Sequence, residues 1–115
     1  RALEFASEEM KGDRELCTAA VAQEGVALEF VSQEMKGDRE LCMAAVANSA
    51  LALRYASQER RGDRKIVLAA LKIMKEERYD PDWRKELFND WITDEMRQDK
   101  QVRNAAGHVR ILESD

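Results

Sequence analysis

The chain has 115 residues, 44% hydrophobic and 37% charged, with 19 basic and 23 acidic residues and a net charge of −4. That length fits one domain; five glycines and one proline are too few for a disordered tail, and the charge is too dense for a membrane span. The acidic balance argues against generic binding to nucleic acid or an anionic membrane. Leu41–Leu53, the longest stretch without a charge, is well short of the about 20 residues a membrane helix needs and reads as buried core. No signal-peptide pattern follows Arg1, so the chain reads as a fragment or a processed product. Two cysteines make no disulfide framework; they are expected as free thiols of a soluble protein in a reducing, intracellular compartment.

An internal repeat organises the chain. Ala2-Leu3-Glu4-Phe5-Ala6-Ser7 recurs as Ala27-Leu28-Glu29-Phe30-Val31-Ser32 and as Ala52-Leu53-Arg54-Tyr55-Ala56-Ser57. Lys11-Gly12-Asp13-Arg14 recurs as Lys36-Gly37-Asp38-Arg39 and Arg61-Gly62-Asp63-Arg64, then Ala19-Ala20-Val21 as Ala44-Ala45-Val46 and Ala69-Ala70-Leu71. The offset is 25 throughout. In each unit a first helix is predicted, with Leu3, Ala6 and Met10 on one face in the first case. Gly12 stops it, Asp13 caps a second helix, and Leu16, Cys17, Ala20 and Val21 face inward. Helices of about nine residues are marginal alone, so the units are expected to stack, with the paired alanines allowing close approach.

Between the third and fourth units lies an insertion, residues 75–85. Asp80-Pro81 reads as an N-cap with Pro at the first helical position. Trp83, Leu87, Phe88, Trp91 and Ile92 then line one face of a longer capping helix. The competing reading makes this face an aromatic anchor for a partner, with Trp83 as its leading residue, while Trp91, at the position of Phe5, Phe30 and Tyr55, reads as core. The fourth unit is divergent: Trp91-Ile92-Thr93-Asp94-Glu95-Met96 aligns with Phe30-Val31-Ser32-Gln33-Glu34-Met35 at an offset of 61, Asp99 with Asp38, and Ala105-Ala106 with Ala44-Ala45. The expected fold is therefore all-α, with helical-hairpin repeats of period 25 stacked as a short α-solenoid in a single domain. Its units are 2–25, 27–50, 52–74 and the divergent 86–112.

The pattern Ala-Leu-x-Phe/Tyr-Ala-Ser-x-Glu, Gly-Asp-Arg, Ala-Ala-Val resembles the repeat family known as domain of unknown function 4116, over about residues 1–72 and more weakly over 86–110. Glu24-Gly25, Ser49-Ala50, Cys17 and Cys42 depart from the family pattern. The resemblance implies a helical repeat and brings no activity, cofactor or catalytic residue.

Signatures of chemistry are sparse. His108 is the single histidine, at the position of Ala22 and Ala47, and reads as structural. Neither cysteine belongs to a Cys-x2-Cys pair, so a zinc site is not expected. Cys17 and Cys42 align with Val67, which marks a small apolar core position. Equivalent positions on stacked helices are about 8–10 Å apart, too far for a disulfide. Glu8-Glu9 and Glu76-Glu77 read as solvated charge. Asp80-x-Asp82 resembles the start of a calcium loop, but Lys85 stands where that loop needs glycine. Arg61-Gly62-Asp63 matches the adhesion tripeptide, yet Asp63 is a capping position. No phosphate-binding glycine loop or nucleophile elbow is present. No catalytic residue, metal or cofactor is expected.

One surface stands out. Lys11, Arg14, Lys36, Arg39, Arg61 and Arg64 recur around the capping aspartates, and stacking would align them as a basic edge beside helix N-termini. The competing reading spends them in ion pairs with Glu15, Glu40 and the Glu9, Glu34, Glu59 ladder. The basic edge and Trp83 are the candidate partner-binding residues of a non-catalytic protein-interaction or scaffold module, a peripheral piece of a larger assembly without nucleic acid. An Arg14/Arg39/Arg64→Glu triple change is then expected to weaken binding with helicity intact. The alternative is an accessory domain of an enzyme, with a polar pocket at the insertion around Tyr79, Asp82 and His108.

Overall fold

A computed structural model describes residues 6–107; His108 and the segment Leu3–Phe5 lie outside that range. The described residues are all-α, with no strand among them. The helices are α1 (Glu8–Lys11), α2 (Arg14–Gln23), α3 (Gln33–Lys36), α4 (Arg39–Asn48), α5 (Gln58–Arg61), α6 (Arg64–Glu76), α7 (Pro81–Glu86), α8 (Asp94–Gln98) and α9 (Lys100–Ala106). Short 3-10 helices occupy Gly25–Phe30 and Ala50–Tyr55, and a π-helical turn occupies Leu87–Trp91. The body measures 44 × 25 × 22 Å. Along it α2 packs on α4, α4 on α6 and α6 on α9, with the 3-10 helices wedged between the long helices.

Serine decides where the short helices begin. The sequence predicts one first helix per unit. The chain instead runs as a 3-10 helix to Phe30, turns extended at Val31 (ψ 166°), and starts α3 only after Ser32. A serine here competes for backbone donors better as a cap than within a helix. The Ser7, Ser32, Ser57 and Thr93 hydroxyls accept from the N–H groups of Met10, Met35, Arg60 and Met96. Aspartate does the same for the long helices: Asp13, Asp38, Asp63 and Asp99 accept from the N–H groups of Leu16, Leu41, Ile66 and Val102. Replacing such a cap with alanine costs about 1 kcal/mol.

The core runs the length of the body. The second alanine of each pair is the buried one: Ala20, Ala45, Ala70 and Ala106. Leu41, Ile66 and Val102 are fully buried, and Leu28 and Leu53 fill the same place in the two 3-10 helices. Trp91 is core, as its alignment predicts, and its indole N–H donates to Glu86 Oε2 at 3.1 Å.

Two backbone points fix close approaches. Gly25 is buried with its N–H on Asn48 Oδ1 (2.7 Å), and a Cβ there would stand 2.3 Å from the Ala45 carbonyl oxygen. At the end of α6, Arg78 adopts a left-handed backbone (φ 55°). Its N–H donates to the Lys75 carbonyl, and the Tyr79 N–H reaches back to Met74. This Schellman-type stop normally uses glycine. The longer helix predicted across Trp83–Ile92 is α7 followed by the π turn, closed by the Ile92 N–H on the Leu87 carbonyl. Arg97 sustains the widening: Nη1 donates to the carbonyls of Phe88, Asn89 and Ile92 at 3.4, 3.1 and 2.9 Å, which would otherwise lack partners at a helix end.

Gly25→Ala should lower the urea midpoint by the equivalent of about 1–3 kcal/mol, the usual cost of overpacking. Arg78→Gly should raise it by roughly 0.5–1 kcal/mol, because glycine relieves the left-handed backbone. Equal effects of the two substitutions would contradict this account.

Candidate functional site

The basic edge is built from the ends of the short helices and the starts of the long ones. Lys11, Lys36 and Arg61 close α1, α3 and α5; Arg14, Arg39 and Arg64 open α2, α4 and α6. The structure turns the three arginines toward the next unit. Arg14 Nη1 donates to Asp38 Oδ2 at 3.0 Å and Nη2 to Glu40 Oε1 at 2.5 Å. Arg39 binds Asp63 through Nε (2.5 Å) and Nη2 (3.3 Å). Arg64 Nε donates to Asp99 Oδ2 at 2.7 Å. Each guanidinium stays about half exposed, while the aspartate side chains are only 20%, 13% and 9% exposed.

Each aspartate divides its carboxylate. Oδ1 takes the N–H groups of its own helix, and Oδ2 takes the shortest bond from the arginine of the unit before; at Asp63 a longer bond from Arg39 Nη2 (3.3 Å) also reaches Oδ1. Asp63 also receives Arg60 Nη1 at 3.3 Å. The hydrogen bond from Arg39 leads the causes that hold the Asp63 carboxyl below the ordinary aspartate range; the one from Arg64 does so for Asp99. Arg39 and Arg64 are raised in return by the same bonds. An Arg14/Arg39/Arg64→Glu change would set glutamates against these aspartates, so it does not separate a binding surface from the fold.

The lysine positions contribute through their backbone. The Lys11 carbonyl accepts the Ser32 N–H at 3.0 Å, and the Lys36 carbonyl accepts the Ser57 N–H at 2.9 Å. The same carbonyls accept the Cys17 and Cys42 thiols at 3.0 and 3.1 Å. Arg103, which the sequence alignment sets at the position of Cys42, donates to the Arg97 carbonyl at 3.1 Å. These cysteines are free and buried, and they act as donors as well as small apolar fillers. Burial pushes both thiols up, Cys42 to about 11, so at neutral pH they are held as poor nucleophiles.

Trp83 is half-buried. Its ring lies 6.3 Å from Trp91, and the Arg54 guanidinium sits 5.4, 6.0 and 5.7 Å from the rings of Tyr55, Trp83 and Trp91. The indole therefore closes an aromatic cluster around a cation. Tyr79 and Asp82 do not converge. The Tyr79 hydroxyl accepts the Ala50 N–H at 3.2 Å, whereas Asp82 is exposed in the first turn of α7 with its own N–H on Asp80. Among the described residues, no group of three or more His, Cys, Asp or Glu side chains is placed to hold a metal ion. No helix among them is long and apolar enough to cross a membrane.

Two roles that sequence reasoning missed sit at the joints. Asn48 bridges the Gly25 N–H and, through Nδ2, the Ala22 carbonyl at 3.0 Å. Tyr79 serves Ala50, the residue one period after Gly25. The Arg-to-Asp spacing of 24 carried a signal: 14 to 38 and 39 to 63 share it, and 64 to 99 is 35, the same separation plus the eleven inserted residues.

The family model described as domain of unknown function 4116 matches residues 1–36 and 38–76. The chain belongs to that family, which has no assigned function. No curated protein and no solved structure matches it.

Asp63→Asn keeps the cap but removes the charge. Since the folded carboxyl lies below its unfolded value of about 4, the stability it supplies is complete above that pH and is lost as pH falls through the folded value. The gap in urea midpoint between wild type and Asp63→Asn should be open at pH 6 and close toward pH 3. A gap that is constant with pH would remove the ion pair from the account.

Proposed function

We propose that this member of the domain of unknown function 4116 family is a non-catalytic protein-interaction or scaffold module, a peripheral piece of a larger assembly. In this reading three 25-residue units and a divergent fourth stack as a short α-solenoid. The observation that carries it is the run of joints Arg14–Asp38, Arg39–Asp63 and Arg64–Asp99. The arginines and capping aspartates that recur from unit to unit are used in fastening one unit to the next. The burial series supports the stack: Leu41, Ile66 and Val102 are closed, whereas Leu16 at the same position stays half-buried. Met10, at 46%, is the exposed large hydrophobic of the described residues. Repeat units joined in this way offer extended faces, which suit binding more readily than catalysis. A partner reaching Arg14, Arg39 or Arg64 would compete with the capping aspartates for the guanidinium. Lys11, Lys36, Arg61 and Trp83 offer contacts without breaking an arginine joint.

Native purification from the source cells, with partners and stoichiometry read by mass spectrometry, tests this. One stoichiometric protein partner surviving moderate salt is the expected result. Recovery of the chain alone would overturn the interaction reading.

A further inference from the structure

Several cations form no ion pair with a described residue, and four of them lie together. Lys72, Lys75 and Arg78 recur every three residues along α6 and its end, and Arg84 faces them from α7. Together they line two adjoining grooves. The larger, about 500 Å³, is lined among the described residues by Leu68, Leu71, Lys72, Lys75, Arg84, Asn104, Ala105 and Gly107. The smaller, about 150 Å³, adds Met74, Arg78 and Tyr79 and shares Lys75 and Arg84. No described acidic residue lines either groove. Two further grooves mix signs: Glu24 and Glu29 with Arg54 in one, Asp90 and Asp94 with Arg61 and Arg97 in the second. None of the four cations forms an ion pair with a described residue, whereas Arg14, Arg39, Arg60, Arg64 and Arg97 all do.

We propose that this groove, between the outer face of α6 and the start of α7, docks an acidic peptide segment of a partner protein through an aliphatic or aromatic anchor. The proposal rests on the interaction reading above and gives it a place and a chemistry. The apolar floor of Leu68, Leu71 and Ala105 takes the anchor side chain, and carboxylates on either side meet Lys72, Lys75, Arg78 and Arg84. A concave site of this size matches a side chain and its flanks. A bilayer is the poorer fit, because an anionic membrane repels a chain of net charge −4 around a recessed patch. Nucleic acid is poorer still, since no described residue of the larger groove, where bases would have to seat, offers an aromatic ring on which they would stack.

The test uses the full chain and a fluorescein-labelled peptide with a central Leu-Phe pair flanked by Asp and Glu, read by anisotropy at physiological salt. Saturable binding is expected, weakened roughly tenfold or more by Lys72→Glu/Arg84→Glu and unchanged by Lys65→Glu, an exposed cation outside the groove. Circular dichroism checks that both variants stay helical. A peptide with Ser in place of Leu-Phe should bind at least about tenfold more weakly. Equal binding by the Ser peptide, equal loss in Lys65→Glu, capture by phosphatidylserine vesicles but not by the peptide, or binding only after residues 108–115 are removed would each overturn the proposal. Repeating the native purification with Lys72→Glu/Arg84→Glu separates the two readings. A partner kept by the variant refutes the groove and leaves the interaction reading standing, while no partner with either protein refutes the interaction reading itself.

Discussion

The divided carboxylate of the capping aspartate is the constraint on which the structure depends. A helix of seven to thirteen residues here opens with backbone N–H groups that need acceptors. Asp38, Asp63 and Asp99 meet that need with Oδ1 and take the shortest bond from the preceding arginine on Oδ2, with a second, longer one on Oδ1 at Asp63. The helix start is thereby tied to the neighbouring unit. An exposed ion pair alone is worth little. Here the acceptor is already fixed by its capping bonds, so less side-chain freedom is lost when the arginine arrives. The charge also lies where the helix dipole favours it.

Much of the architecture was legible because it is written in local chemistry. All-α character, the capping roles of Asp13, Asp38 and Asp63, the stop and restart at Asp80-Pro81, and the buried place of Trp91 follow from residue type and spacing. The break before Ser32 was hidden, since Leu28 and Val31 fit a helical face and a 3-10 helix equally well at that length. The π turn was hidden too, because it depends on Arg97 returning from α8 to hold carbonyls of the turn. At the basic edge, the positions were readable and the direction of the side chains was not. Composition shows that arginine recurs; only the packing of α2 on α4 and α4 on α6 shows that it reaches across.

The joints conserve a bond while changing the atoms that make it. A thiol donates to the carbonyl of residue 11 or 36, and a guanidinium does so to that of residue 97. A side-chain amide serves the N–H of Gly25, and a phenol from the insertion serves that of Ala50. In both cases the demand comes from a backbone group inside a joint, where leaving it unpaired is costly, and any side chain of suitable reach satisfies it. Such substitutions look like drift in the sequence and are equivalent in the fold.

The spacing of the Arg–Asp contacts has a further consequence, for how a chain of this kind grows. Asp38 with Arg39, and Asp63 with Arg64, each join an acceptor for the stretch before to a donor for the stretch after. A tandem duplication of one stretch therefore arrives with both halves of its connection already made, and a loss of one stretch leaves matching ends behind. The eleven extra residues between Arg64 and Asp99 keep to this rule, for they lengthen the path without removing either end of the contact. Length can change by whole periods, or by an extra segment between periods, while the chemistry of every remaining junction is preserved.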